Sequence, residues 1–152
     1  MSIASPCPLC TRDPACEIWS DDRLRVIDAK EPEFPGFTRV IWHEHVREMT
    51  DLSTHDRLHL MQIIWTVERV MRAQLAPVKI NLAQFGNMVP HVHWHIIPRW
   101  ALDSRFPDAI WAAAKKRTDE EARFWTQCHR QAVAAVPAYH EALKQALNDA
   151  AP

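Results

Sequence analysis

With 152 residues, 47% of them hydrophobic, the chain has the length and apolar content of one domain with a real core, because domains cluster at roughly 100 to 200 residues. Its 18 Lys and Arg nearly balance its 19 Asp and Glu and form no block of like charge, which excludes the electrostatic footprint of a nucleic-acid polymer as partner; any anionic ligand must be gripped locally. No stretch approaches the ~18 uninterrupted apolar residues of a membrane helix, and the Pro- and Cys-rich start lacks the basic and apolar regions of a signal peptide, so a cytoplasmic protein with no membrane partner is expected.

Residues 1 to 17 read as a loop. In a reducing compartment Cys7, Cys10 and Cys16, with Cys128 far downstream, read as metal ligands or inert thiols rather than as a disulfide framework. Two runs with the β-branched and aromatic content of half-buried strands follow, Leu24-Arg25-Val26-Ile27 and Phe37-Thr38-Arg39-Val40-Ile41-Trp42, separated by a connection from Glu31 to Gly36 that Pro and Gly punctuate. From Ser53 to about Leu75 the residues Leu58, Met61, Ile64, Trp65 and Val67 or Met71 recur at helical spacing, with Ser53 or Thr54 as N-cap and Pro77 as terminator. Val78 to Leu82 reads as a short strand, Phe85-Gly86-Asn87 as a turn, and Val89 to Ile97 as another strand. Beyond Arg99 the composition shifts to Ala, Trp and Pro until about Trp111. Thr118-Asp119-Glu120-Glu121 then carries a capping-box signature before a helix-forming run that Pro137 is expected to break or kink, leaving Ala138 to Ala150 as a final helix. Strands, a helix, strands and then helices give an α+β class with an antiparallel sheet.

The strand from Val89 to Ile97 carries the chemistry. Side chains at i, i+2 and i+4 of a strand share a face, so His91, His93 and His95 form one row and Val92, Trp94 and Ile96 the other. One metal ion is not expected to hold all three, because a rise of ~3.3 Å per residue puts the outer backbones ~13 Å apart, too far for Zn–N bonds of ~2.0 Å. A row of imidazoles suits phosphate chemistry instead. A neutral ring attacks phosphorus, its other nitrogen is held by an acceptor that fixes the tautomer, and flanking rings hydrogen-bond the phosphate oxygens. The middle residue, His93, is supported from both sides.

The run His91-Val92-His93-Trp94-His95-Ile96-Ile97-Pro98-Arg99 resembles the signature of the histidine triad superfamily, His-φ-His-φ-His-φ-φ with φ apolar, and the likeness extends through Asn81, Gly86-Asn87-Met88-Val89 and Pro90, more loosely to Cys7, and over roughly residues 7 to 111. The resemblance implies an antiparallel sheet with one main helix over residues 1–112, a C-terminal helical extension over 113–152 packed on the same domain, and a homodimer. It implies cleavage at the α-phosphate of a purine nucleoside phosphate ester, anhydride or phosphoramidate through a nucleotidyl intermediate on His93, with His95 contacting the phosphate. Asn87, with the backbone around Met88 and Val89, would contact the same phosphate; Asn81 would help place the substrate and Asp28 would bind the ribose, although that last alignment needs a one-residue insertion. Phe106 and Trp111 are candidates for closing the pocket.

Two departures bear on rate. Where many members carry a fourth, supporting histidine this chain has Phe37, and where some hydrolases carry a Ser or Thr hydroxyl it has Met88, whose thioether donates no proton. Efficient phosphoramidate cleavage is therefore not expected, and a slow nucleotide-binding regulatory protein is the alternative reading. A strand-borne His-X-His metal oxygenase or hydrolase ranks below both. Cys7-Pro8-Leu9-Cys10 is half of a zinc site by spacing. The other half comes from the resemblance, which implies a structural Zn2+ held by Cys7, Cys10, His45 and His91. His43, His55, His59, His129 and His140 read as solvated or helix-surface residues, and Cys16 and Cys128 as structural.

Overall fold

Strand β1 (Glu17–Ser20) begins the sheet, followed by β2 (Leu24–Asp28), β3 (Thr38–Trp42), helix α1 (Thr54–Leu75), β4 (Lys79–Ala83), β5 (His93–Arg99) and helix α2 (Asp119–Ala150) in a computed structural model that describes residues 7–150. The first six residues of the expected N-terminal loop, and the last two of the chain, lie outside the described residues. All five strands form one antiparallel sheet in the order β1-β2-β3-β5-β4. β1 was not foreseen: it is a four-residue edge strand with an irregular register between Glu17 and Trp19.

One face of the sheet is the core. Leu24 and Val26 of β2, Val40 and Trp42 of β3, Ile80 of β4 and Ile96 of β5 pack there against both helices. Ser53 caps α1 by accepting from the Asp56 amide at 3.1 Å, and Ala76 ends the helix in a left-handed turn before Pro77. The buried stripe of α1 is Leu60, Ile63, Ile64, Val67, Val70, Met71 and Leu75; Leu58 and Trp65, both expected inward, are about half exposed. The helix is apolar over a wide arc, and the sheet takes the side richest in β-branched residues. At the C-terminal end of α1 the Leu75 side chain packs where a Cβ at position 36 would stand, and the left-handed φ of +84° would strain any side chain there, which suits Gly36.

Pro137 does not end α2. The helix runs unbroken for 32 residues, because its buried stripe of Trp125, Ala132, Tyr139, Leu143 and Leu147 continues on both sides of the proline. Pro137 and Val133, the residue whose carbonyl loses its helical partner, both lie on the exposed side. Tyr139 also locks the helix to the sheet. The Thr38 hydroxyl donates to the Gly36 carbonyl at 2.9 Å, so the 2.8 Å contact with the Tyr139 oxygen must be a donation from the phenol.

β5 starts four residues later than the pattern indicated, since the chain from Gln84 to Val92 is a loop. It is tied down where it joins the strand: the Val92 amide donates to the Val46 carbonyl at 2.7 Å, and the Val92 carbonyl accepts from the Trp42 amide. His91 therefore stands outside the regular strand, and only His93 and His95 share a strand face.

After β5 the chain wraps around one carboxylate. Arg99 and Asp103, 1% and 4% exposed, form a two-pronged pair at 2.8 and 3.0 Å, and Asp103 also accepts from the amides of Trp100, Arg105 and Phe106. Breaking such a buried pair from one side leaves a charge without compensation, at a cost of about 3 to 5 kcal/mol. Arg99→Met is expected to lower the midpoint of thermal unfolding by roughly 10 °C, at about 2 to 4 °C per kcal/mol for a domain of this size. A shift under about 2 °C in a calorimetric scan would show that Asp103 is held without it.

Candidate active site

The face of the sheet opposite the core carries the candidate chemistry. Phe37, just before β3, and Arg39 and Ile41 within it alternate onto that face, and the antiparallel register sets Arg39 against His95 and Ile41 against His93. Above them lies a cavity of about 530 Å³ lined by residues from five segments: Leu9, Arg39, the stretch Phe85 to Val89, His93 with His95, and Ala109 with Trp111. Gly86, at φ +78°, turns the chain so that Phe85 and Asn87 flank the opening.

His93 is buried, and its Nδ1 lies 2.6 Å from the His91 carbonyl. A carbonyl oxygen can only accept, so Nδ1 carries the proton and Nε2 keeps its lone pair. Among the described residues Nε2 has no hydrogen-bond partner. The His95 ring stands edge-on to His93 at 4.9 Å between centroids and is packed by Phe37 at 5.7 Å and Trp111 at 5.4 Å. Burial in this aromatic surround, with His93 and Arg39 adding to the effect, pushes the His95 imidazole down to about 4, so it is uncharged at neutral pH.

A second cluster adjoins the first. The ligand atoms of Cys7, Cys10, His45 and His91 all lie within 4.8 Å of one another, with Cys7 Sγ and Cys10 Sγ at 3.5 and 3.7 Å from His91 Nδ1 and Cys10 Sγ at 3.5 Å from His45 Nδ1. A tetrahedral Zn2+ with Zn–S of ~2.3 Å and Zn–N of ~2.0 Å requires S–N edges of roughly 3.5 Å. The tautomer fits as well. His91 Nε2 donates to the Trp42 carbonyl at 2.6 Å, which leaves Nδ1 free for a metal, and burial holds the imidazole below its usual range. These four residues can hold a metal ion. Arg25, buried on the same sheet face, anchors the cysteine turn by donating to the Leu9 carbonyl at 2.6 Å.

The expected residues thus fall into three groups. His93, His95, Asn87, Met88 and Val89 surround the cavity, with Met88 almost fully exposed at its rim. Asn81 lies on the same face of β4 but outside the cavity lining, and its Oδ1 accepts from Arg99 at 2.7 Å. Asp28 is not brought to the cavity. It pairs in register with Thr38, on the helix-covered face, and bonds the Lys30 amide at 2.8 Å near His140. Phe106 lies over the Arg99 guanidinium rather than the opening, whereas Trp111 does line it.

Three histidines read as solvated have partners: His59 meets the Asp21 carboxylate at 2.6 Å, His43 the Asp21 carbonyl at 3.1 Å and His129 the Pro32 carbonyl at 2.6 Å. His140, on α2, is half-buried with its Nε2 3.9 Å from Asp28, while His55 is exposed as expected, with Arg23 3.1 Å from its ring. Arg39 and Leu9 were missed as cavity residues. The signal for Arg39 was present, because the two-residue alternation of β3 puts it on one face with Phe37.

The HIT domain family model matches residues 11–102, well over half of the chain. The chain belongs to the histidine triad family. A curated relative of this HIT protein, the AP-4-A phosphorylase of Mycobacterium tuberculosis, is 31% identical over 81 residues, covering 49% of this chain and 42% of its own length. The chain thus spans less than half of that relative. An uncharacterized HIT-like protein of Saccharolobus solfataricus is 28% identical over 97 residues, which is 60% of this chain and 70% of the relative. Among solved structures, histidine triad proteins of Sinorhizobium meliloti and Bradyrhizobium japonicum align with TM-scores of 0.61 and 0.59 at 20% and 24% identity, covering 80% and 77% of this chain and 95% and 89% of theirs. They share its fold. No helix among the described residues is long and apolar enough to cross a membrane.

Proposed function

We propose that this HIT protein is a hydrolase or nucleotidyl transferase that cleaves a purine nucleoside polyphosphate at its α-phosphate, with His93 as nucleophile. The supporting observation is the hydrogen bond from His93 Nδ1 to the His91 carbonyl, which leaves Nε2 unpartnered in a cavity of a size suited to a nucleotide. In the first step the Nε2 lone pair forms a bond to the α-phosphorus and the bond to the leaving oxygen breaks, its electron pair departing with the β-phosphate. The imidazole becomes positive, and the His91 carbonyl at Nδ1 stabilises that charge. In the second step water, or another acceptor, attacks phosphorus, its proton passes to solvent and the P–N pair returns to Nε2. A departing phosphate carries its own negative charge and requires no proton, which agrees with Met88 standing where a hydroxyl would have served an amine leaving group.

Zinc bound by Cys7, Cys10, His45 and His91 would have no open coordination position, so it would fix structure rather than take part in the reaction. Leu9, between the two cysteines, lines the cavity, which makes the metal turn one of its walls.

The test is a panel of diadenosine polyphosphates and aminoalkyl adenylates, followed by product analysis and by mass spectrometry of protein quenched at high pH, where a phosphoramidate bond survives. Turnover of the anhydrides with a nucleotidyl adduct on the peptide containing His93 is expected. Nucleotide binding with neither turnover nor adduct would make the protein a nucleotide-binding regulator instead.

A further inference from the structure

Arg39 has no role in the catalytic scheme above, yet it lines the same cavity as His93 and His95. Among the described residues its guanidinium has no hydrogen-bond or ion-pair partner, and its Nε is buried without one. Its guanidinium carbon lies 5.4 Å from the centre of the Phe37 ring. Such an arrangement is costly, because a half-buried cation is tolerated when an acidic group balances it and here Glu31 acts only from beyond salt-bridge distance. Burial lowers the Arg39 pKa, but a guanidinium stays charged. No carboxylate lines the cavity, and most of the other lining residues are apolar, Phe85, Val89 and Trp111 among them. The cavity therefore holds one fixed positive charge awaiting an anion.

Its position says which anion. Arg39 is directly opposite His95 and diagonal to His93, so cross-strand spacings of roughly 5 and 7 to 8 Å put the guanidinium within reach of the site where phosphorus meets Nε2, but to one side of it. The α-phosphate already has His95 and the turn at Asn87 beside it. His95 is uncharged, and Phe37 supplies no proton relay, so a substrate with several phosphates finds its compensating charge at Arg39. Arginine suits this task, since its planar fork grips two phosphate oxygens at once.

We propose that Arg39 is a specificity-determining residue that binds the phosphate next to the one attacked, selecting phosphoric anhydrides over substrates whose leaving group carries no phosphate. The inference rests on the proposed α-phosphate chemistry for its place in catalysis, but the binding step is independent of it.

The experiment compares wild type, Arg39→Met and Arg39→Lys on diadenosine tetraphosphate and on an aminoalkyl adenylate, together with calorimetric binding of inorganic tripolyphosphate and of AMP. Arg39→Met is expected to lower kcat/KM on the tetraphosphate by about 100-fold, equivalent to the loss of a charge-assisted bidentate contact, and to change the adenylate by less than about threefold. Arg39→Lys keeps the charge without the fork and is expected to fall between the two. Tripolyphosphate binding should weaken by at least tenfold in Arg39→Met while AMP binding holds. Equal losses on both substrate classes, or tripolyphosphate binding unchanged in both variants, would overturn the proposal. If wild type turns over neither substrate yet binds tripolyphosphate through Arg39, the catalytic reading fails and the anion site stands.

Discussion

Replacing His93 with Asn is expected to lower turnover of a dinucleoside polyphosphate by at least about 10⁴-fold, in line with the loss when a covalent nucleophile is removed, while nucleotide affinity changes by only a few-fold. The choice of Asn follows from the hydrogen bond that orients the ring. An Asn amide can still donate to the His91 carbonyl, so the loop before β5 keeps its anchor and the cavity its shape. What disappears is the lone pair at Nε2. The loss should therefore fall on kcat, because a nucleophile's bond to phosphorus exists only along the reaction path. The nucleotidyl adduct should vanish with it. Product formation at the wild-type rate in His93→Asn would show that water attacks the phosphate directly and that the histidine is not the nucleophile.

His95 makes a different contribution and should be separable from His93. Its ring is uncharged and enclosed by Phe37 and Trp111, so it can donate one hydrogen bond to a phosphate oxygen but brings no positive charge. In the proposed scheme the charge for the phosphate chain comes from the neighbouring strand at Arg39. Where a supporting histidine would have linked the row to further polar groups, Phe37 instead packs with Phe34 and Ile97 and closes the row with an apolar plug. The site is thus drier on that side.

The centre of the site was legible in the sequence because two-residue periodicity is unambiguous where apolar and imidazole residues alternate, as they do from His91 to Ile96. The same periodicity explains why Asp28 does not line the cavity. A one-residue insertion in an alignment moves a side chain to the other face of a sheet, and Asp28 went to the helix-covered face while Ala29 packs with the Phe34, Phe37 and Ile97 cluster. Pro137 looked like a terminator because local propensity cannot register a buried stripe that resumes beyond it at Tyr139. The loop after β5 was opaque for a related reason. Asp103 organises it through contacts with Arg99 and three amides, and nothing in the local composition marks that aspartate among the others. The cysteine turn was half legible from spacing, which singled out Cys7 and Cys10; the family resemblance added His45 and His91, and the structure brings all four ligand atoms within 4.8 Å of one another.

That arrangement carries the other large effect. Protein produced with zinc available should hold one equivalent of metal, and Cys7→Ser should retain less than about a tenth of it, with an unfolding midpoint roughly 10 °C lower. The ion would join the turn at Cys7 and Cys10 to His45, past the end of β3, and to His91, before β5. Binding free energies of about 10 to 16 kcal/mol hold such centres in isolated peptides. Here most of that would order the turn itself, since the sheet and its helices have a core that does not include it. A destabilisation of about 3 to 5 kcal/mol in the whole domain is what remains, and at 2 to 4 °C per kcal/mol it gives the expected shift. Activity should fall too, by about 10- to 100-fold as for other groups that orient a site from one layer out. The route is short: the residue whose side chain would hold the metal, His91, is the one whose carbonyl holds His93 in its reactive tautomer, and Leu9 of the metal turn is a wall of the cavity. The losses in metal, stability and kcat/KM should therefore appear together in Cys7→Ser and Cys10→Ser. Metal-free wild-type protein with full activity and an unchanged midpoint would show instead that Arg25 and the backbone suffice to hold the turn.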